Sequence, residues 1–148
     1  MVDIRPEMHL IDIAMAIAVE AYSGKIDKAG RPYILHPLRL MAGFTDDHDK
    51  VVALLHDVIE DSHFTAEDLL RRGIPGSDVE VIETLSRREG ESYIDFIKRI
   101  CLNPKAIPIK KADIEDNLNV LRLQVLSKED LNRVAKYHKA WNLLNDHP

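Results

Sequence analysis

The run Leu54-Leu55-His56-Asp57-Val58-Ile59-Glu60-Asp61 sets four ionisable side chains in an apolar stretch. On a helix, His56 and Glu60 stand four apart, Asp57 and Glu60 three apart, and Asp57 and Asp61 four apart, so all four share one side. Val51, Val52, Leu55, Val58 and Ile59 cover much of the rest, which turns part of this polar edge toward the interior. Burying several ionisable groups costs free energy unless they are paired or bound to a cation. A divalent metal offsets that cost, with an imidazole nitrogen and a carboxylate oxygen as adjacent ligands. An amphipathic helix with a solvated acidic end would explain His-Asp alone. The Glu60-Asp61 pair one turn later shifts the balance to metal chemistry.

Two further constellations are weaker when taken singly. Asp113, Asp116 and Asn117 fall at i, i+3 and i+4 and share a helix face, a pattern that also suits an exposed polar stripe. In Pro32-Tyr33-Ile34-Leu35-His36-Pro37 a histidine sits among apolar residues at a helix entrance, where a capping or core histidine is the simpler reading.

The elements that must position these residues read as helices almost throughout. From Met8 to Ala21, Leu10, Ile11, Ala14, Ile17, Ala18 and Ala21 keep a three-and-four rhythm. Gly24 and Gly30 bracket a loop, and His36-Pro37 opens a short helix through Phe44. Asp46, Asp47 and Asp49 start a third helix that carries Val51 to Ile59. Thr65 with Asp68, Ser77 with Glu80, and Ser127 with Asp130 read as capping-box starts of later helices. The last helix reaches about Leu144, with Leu131, Val134, Ala135, His138, Trp141 and Leu144 on or near one stripe. No alternating pattern of a sheet is sustained, and no repeat or low-complexity linker appears. The expectation is one all-α domain over residues 1–148, a helical bundle of about seven to eight helices.

Composition narrows the function classes. A chain of 148 residues, 45% hydrophobic and 30% charged, suits one globular core. A net charge of −5 disfavours nucleic acid and anionic membrane surfaces as partners. It leaves anionic small molecules open, because a bound divalent cation reverses the local sign of a site. The single cysteine, Cys101, cannot form an internal disulfide and reads as a small buried apolar residue on a helix. Residues 1–6 carry both Asp3 and Arg5 with no secretory pattern, and no apolar stretch is long enough to span a bilayer, so the cytosol is the expected setting.

The order of the three constellations resembles the HD-domain phosphohydrolases, specifically the (p)ppGpp-hydrolase domain of RelA/SpoT-type enzymes and the small alarmone hydrolases. The matching pieces are Gly30-x-Pro32-Tyr33-Ile34-x-His36-Pro37, then Ala53-Leu54-Leu55-His56-Asp57-Val58-Ile59-Glu60-Asp61-Ser62, then Lys110-x-Ala112-Asp113-x-x-x-Asn117-Leu118. The resemblance implies His36, His56, Asp57 and Asp113 as ligands of a divalent metal, manganese in most such proteins. It implies Glu60 and Asp61 as the catalytic pair that positions and deprotonates the attacking water, and Asn117 as a substrate contact or a hydrogen bond steadying Asp113. Lys28 aligns with a phosphate-binding lysine, whereas Lys25, Arg31, Lys110 and Lys111 read as solvated surface. The segment Arg87–Asp95, with Tyr93, matches a variable border of the active site.

Three departures touch the substrate rather than the metal. Tyr22-Ser23-Gly24-Lys25 stands where such enzymes carry His-x-Gly-Gln, Asp27 stands where an arginine packs on guanine, and Asn119 replaces an arginine. The implied activity is hydrolysis of a nucleotide-like phosphate or diphosphate ester, nearest to (p)ppGpp 3′-pyrophosphohydrolase. Hydrolysis of a nucleoside monophosphate or phosphorylated dinucleotide, or a non-catalytic sensor that binds metal and nucleotide, are the alternatives. The sequence fixes no oligomeric state.

Overall fold

The computed structural model describes residues 8–146. The charged N-terminal stretch that argued against a leader therefore lies outside the described residues. Nine α-helices form the architecture among them: α1 (Leu10–Tyr22), α2 (Leu35–Ala42), α3 (Asp47–Leu55), α4 (Val58–Asp61), α5 (Ala66–Arg71), α6 (Gly76–Thr84), α7 (Tyr93–Ile100), α8 (Ala106–Asn117) and α9 (Lys128–Asn145). A 3-10 turn, Val120–Arg122, links α8 to the α9 approach. The isolated bridge between Ile26 and Pro32 is the sole extended pairing among the described residues. It closes the α1–α2 loop, whose Gly24 and Gly30 take φ of 79° and 77°, where a Cβ would be strained.

The central helix is α3. Val51, Val52, Ala53, Leu54 and Leu55 are buried all round, so α3 is enclosed by α1, α2, α6 and α8 rather than amphipathic. Its start is set by Asp46, whose carboxylate accepts from the Asp49 amide, with Asp47 and Asp49 favourable in the first turn. Thr65 and Ser127 make the expected capping boxes with Asp68 and Asp130. His9 makes one with Asp12 at the start of α1. Ser77 does not open a helix: α6 begins a residue earlier, with Pro75 as its uncapped flank, because the fixed φ of proline already orients the first turn.

Two corrections bear on the site. The third helix, expected to carry Val51 to Ile59, is interrupted after Leu55 and resumes as α4 within the expected all-α bundle. The cause is local: the Ala53 carbonyl, which a continuous helix would pair with the Asp57 amide, accepts from His56 Nδ1 at 2.7 Å. The stripe of α9 is also rotated from the expected one. Ala140 and Leu144 are buried and Tyr137 half-buried, while Leu131, Ala135 and His138 face outward. Cys101 lies half-buried just past the end of α7 rather than within it. No helix among the described residues is long and apolar enough to cross a membrane.

Candidate active site and metal centre

The structure brings His36, His56, Asp57 and Asp113 together from three parts of the chain, with one ligand atom of each within 4.8 Å of the others. His36 enters on the first turn of α2, His56 and Asp57 occupy the α3–α4 break, and Asp113 comes from the middle of α8. His36 Nε2 lies 2.9 Å from Asp113 Oδ1 and 3.9 Å from Asp57 Oδ2. His56 Nε2 lies 3.0 Å from Asp57 Oδ2 and 3.5 Å from Asp113 Oδ1. Ligands about 2.1 Å from one ion sit roughly 3 Å apart when adjacent, so this spacing fits a metal.

Two observations support that fit. His56 is 2% exposed, and its Nε2, close as it is to Asp57, makes no aligned hydrogen bond. A buried imidazole nitrogen that has no hydrogen-bond partner and faces carboxylate oxygens fits the role of a metal ligand. The other nitrogen of each histidine is committed, His56 Nδ1 to the Ala53 carbonyl and His36 Nδ1 to Asp116 Oδ2 at 2.6 Å. Both rings can then point Nε2 at the cluster as a metal ligand.

The carboxylates are equally constrained. Tyr33 Oη donates to Asp57 Oδ2. Asp113 accepts from Asn117 Nδ2 at 3.0 Å and from Lys110 Nζ at 2.8 Å. Burial alone would raise both acids, but the His56 charge beside Asp57, and Lys110 with the two histidines around Asp113, hold them below the usual carboxylate range. Burial opposes charging of His36 and His56, yet the surrounding carboxylates overcome it and raise both. The arrangement thus favours cationic charge at the cluster.

Glu60 and Asp61 sit one turn beyond, on the open side, where both line a cleft of about 560 Å³. Partial burial, then the Asp57 charge, raises the pKa of each. A carboxylate moved toward neutral pH is better suited to accept a proton from water. The cleft is also lined by Lys28, Arg87, Arg133 and Lys136. Burial, then Arg133, lowers the pKa of the Lys28 ammonium, and burial, then Arg87, lowers that of Lys136, so these cations lie close enough to repel one another, as in an anion site.

Several residues fall differently from expectation. Lys110 is not solvated surface: its side chain is 12% exposed, paired to Asp113 and set over the Phe96 ring. Lys25 is exposed but bonds the Asp61 carbonyl, and Lys111 bonds Asn145 and covers Trp141. Tyr93 lines the cleft beside Tyr137. Asp116 is no exposed stripe residue, since it holds His36. The i, i+3 spacing from Asp113 was the available signal, but only the fold shows which histidine it meets. Arg39, Arg122, Arg133 and Lys136 had no motif to mark them. Asp27, in place of an arginine, accepts from the amides of Ala29 and Arg31, each at 2.9 Å, and so stabilises its own loop.

No family model matches the chain. A guanosine-3′,5′-bis(diphosphate) 3′-pyrophosphohydrolase of Haemophilus influenzae is 31% identical over 135 residues, covering 81% of this chain and 20% of that protein. A GTP pyrophosphokinase of Myxococcus xanthus is 28% identical over 151 residues, covering 88% of this chain and 19% of the relative. The chain therefore spans about a fifth of the length of the curated relatives it matches. A solved structure described as a metazoan ortholog of SpoT that hydrolyzes ppGpp superposes with a TM-score of 0.75 at 21% identity, over 97% of this chain and 89% of that one. In sequence and in fold, the chain resembles the HD-type hydrolases of the RelA/SpoT kind.

Proposed function

We propose that this chain, as a single domain, is a metal-dependent phosphohydrolase of a nucleotide-like phosphate or diphosphate ester, with (p)ppGpp 3′-pyrophosphohydrolase as the nearest named activity. One observation carries the reading: His36, His56, Asp57 and Asp113, three of them buried and Asp57 half-buried, offer ligand atoms within 4.8 Å of one another beside a carboxylate pair that lines the cleft. The relatives' names cover both a pyrophosphohydrolase and a pyrophosphokinase. A proton-accepting pair next to a ligand cluster serves water attack, which favours hydrolysis.

A divalent ion, manganese in our proposal, held by His36, His56, Asp57 and Asp113 would polarise a phosphoryl oxygen and lower the pKa of water. The chain's own residues supply the rest. Glu60 and Asp61 hold the attacking water and take its proton. Lys28, with Arg133 and Lys136 beside it, receives the anionic part of the substrate, and Asn117 keeps Asp113 in register while lining the cleft. The cytosolic setting read from the sequence belongs to this proposal.

A different nucleotide is the second reading, and Asp27 favours it. With its carboxylate bound to its own loop, that position offers no cation to stack on guanine. The test is release of phosphate and pyrophosphate by metal-stripped protein given back Mn²⁺, on ppGpp and on a panel of nucleotides and phosphorylated dinucleotides. Pyrophosphate from ppGpp establishes the nearest named activity. Release from another compound alone keeps the chemistry and changes the substrate. Silence across the panel with metal bound would leave a sensor.

A further inference from the structure

Behind the ligand cluster, Asp116 grips the far nitrogen of His36 and is itself gripped by two arginines from separate elements. Its Oδ2 lies 2.6 Å from His36 Nδ1. Arg39, one turn along α2 from His36, donates from Nε to Oδ1 at 2.7 Å and from Nη2 to Oδ2 at 2.9 Å. Arg122, on the 3-10 turn, donates from Nη1 to Oδ1 at 3.0 Å and from Nη2 to the Asp116 carbonyl at 2.8 Å. The Asp116 side chain is 12% exposed.

With guanidinium N–H groups donating to both of its oxygens, the carboxylate is oriented to accept from the imidazole. His36 Nδ1 then carries the proton, and Nε2 is left to face Asp113 Oδ1 at 2.9 Å. Arg39 and Arg122 line the cleft, whereas Asp116 stands behind it. Asp116 thus acts through His36 and not on the substrate. A plain ion-pair network joining α2, α8 and the 3-10 turn would need the two arginines but not the imidazole.

We infer that Asp116, clamped by Arg39 and Arg122, is a positioning residue that fixes the tautomer and ring plane of His36 as a preset metal ligand. The inference rests on reading the four-residue cluster as a metal centre. It adds to that reading a residue from outside the cluster and two arginines that the motifs do not mark.

The experiment titrates metal-free protein and its Asp116→Ala and Asp116→Asn variants with Mn²⁺, following loss of the free-ion EPR signal. A parallel Co²⁺ titration follows the visible absorption band, and thermal unfolding of each metal-free form reports the fold. Mn²⁺ affinity is expected to fall about 10- to 100-fold in Asp116→Ala. The fall should be smaller in Asp116→Asn, whose amide oxygen can still accept the Nδ1 proton. The Co²⁺ band should change shape in metal-free protein that thermal unfolding shows to be folded at the temperature of the titration. Parental affinity and an unaltered band in a folded Asp116→Ala variant would overturn the inference and leave the metal centre standing. If Asp116→Ala does not fold, the same two readings on Asp116→Asn decide. Absence of Mn²⁺ and Co²⁺ uptake by the parent protein would overturn both.

Discussion

At the scale of single residues, the proposed site divides into groups that would hold a cation and groups that would move a proton, and the two should respond differently to substitution. Asp113 accepts from Lys110 and Asn117, and its Oδ1 lies 2.9 Å from His36 Nε2. Asp113→Asn keeps the volume but removes the negative charge, so Mn²⁺ uptake by metal-stripped protein should be lost together with activity. Full metal content measured in that variant would take Asp113 out of the ligand set. Glu60 lies at the mouth of the cleft, with a pKa raised by partial burial and then by Asp57. Glu60→Gln should retain bound metal while turnover on the active substrate falls by about 10²- to 10⁴-fold, the usual worth of a positioned proton acceptor. Undiminished turnover at full metal occupancy would leave Asp61 as the sole candidate.

At the scale of elements, the cleft depends on the turn between α6 and α7, which Arg99 holds shut. Its guanidinium donates to Glu91 through two nitrogens and reaches the carbonyls of Thr84 and Ser86 at 3.0 and 2.9 Å. The Arg99 side chain, joined by the Arg88 amide, holds the Glu91 carboxyl down at about 2 from an ordinary 4.5. A depressed acid contributes stability that is full above its unfolded value and is lost as pH falls from 4.5 through about 2. Glu91→Gln should therefore lower stability near neutral pH by about 1–2 kcal/mol, allowing for solvent screening, and the gap to the parent should close toward pH 2. Denaturant melts at several pH values check this, and a gap independent of pH would assign the loss to packing. Such devices were hidden from the sequence, because Arg99 and Glu91 carry no motif. Capping was legible where a side chain does the work, as at Asp46, Thr65 and Ser127. It was not where proline geometry starts α6 or where His56 takes a backbone acceptor and breaks α3. The inward face of α9 was misplaced for a related reason: Arg133, Lys136 and Tyr137 border a polar cleft, and an apolar stripe cannot report a face turned toward charge.

For the whole molecule, the proposed metal is also a cross-link. Its four ligands come from α2, the α3–α4 break and α8, segments far apart in sequence that converge on the buried central helix. The motif order made this convergence legible. What it could not convey was the distribution of charge, in which a chain of net −5 gathers Lys28, Arg87, Arg133 and Lys136 around the cleft that its acidic cluster opens into. In the metal-free fold, Lys110 and the two histidines are left to balance Asp57 and Asp113, and each of these groups is buried or nearly so. An ion that binds this arrangement and not the unfolded chain stabilises the fold by mass action, about 2.7 kcal/mol at a hundredfold excess over its dissociation constant. For a domain of this size that corresponds to a rise in melting temperature of about 5–10 °C. Thermal melts of metal-stripped protein should rise by that amount with Mn²⁺ and fall back with a chelator, while Asp113→Asn shows no response to either. A melting point indifferent to Mn²⁺ in the parent would mean that the cluster is held by its own protons and ion pairs, and the hydrolase reading would lose its foundation.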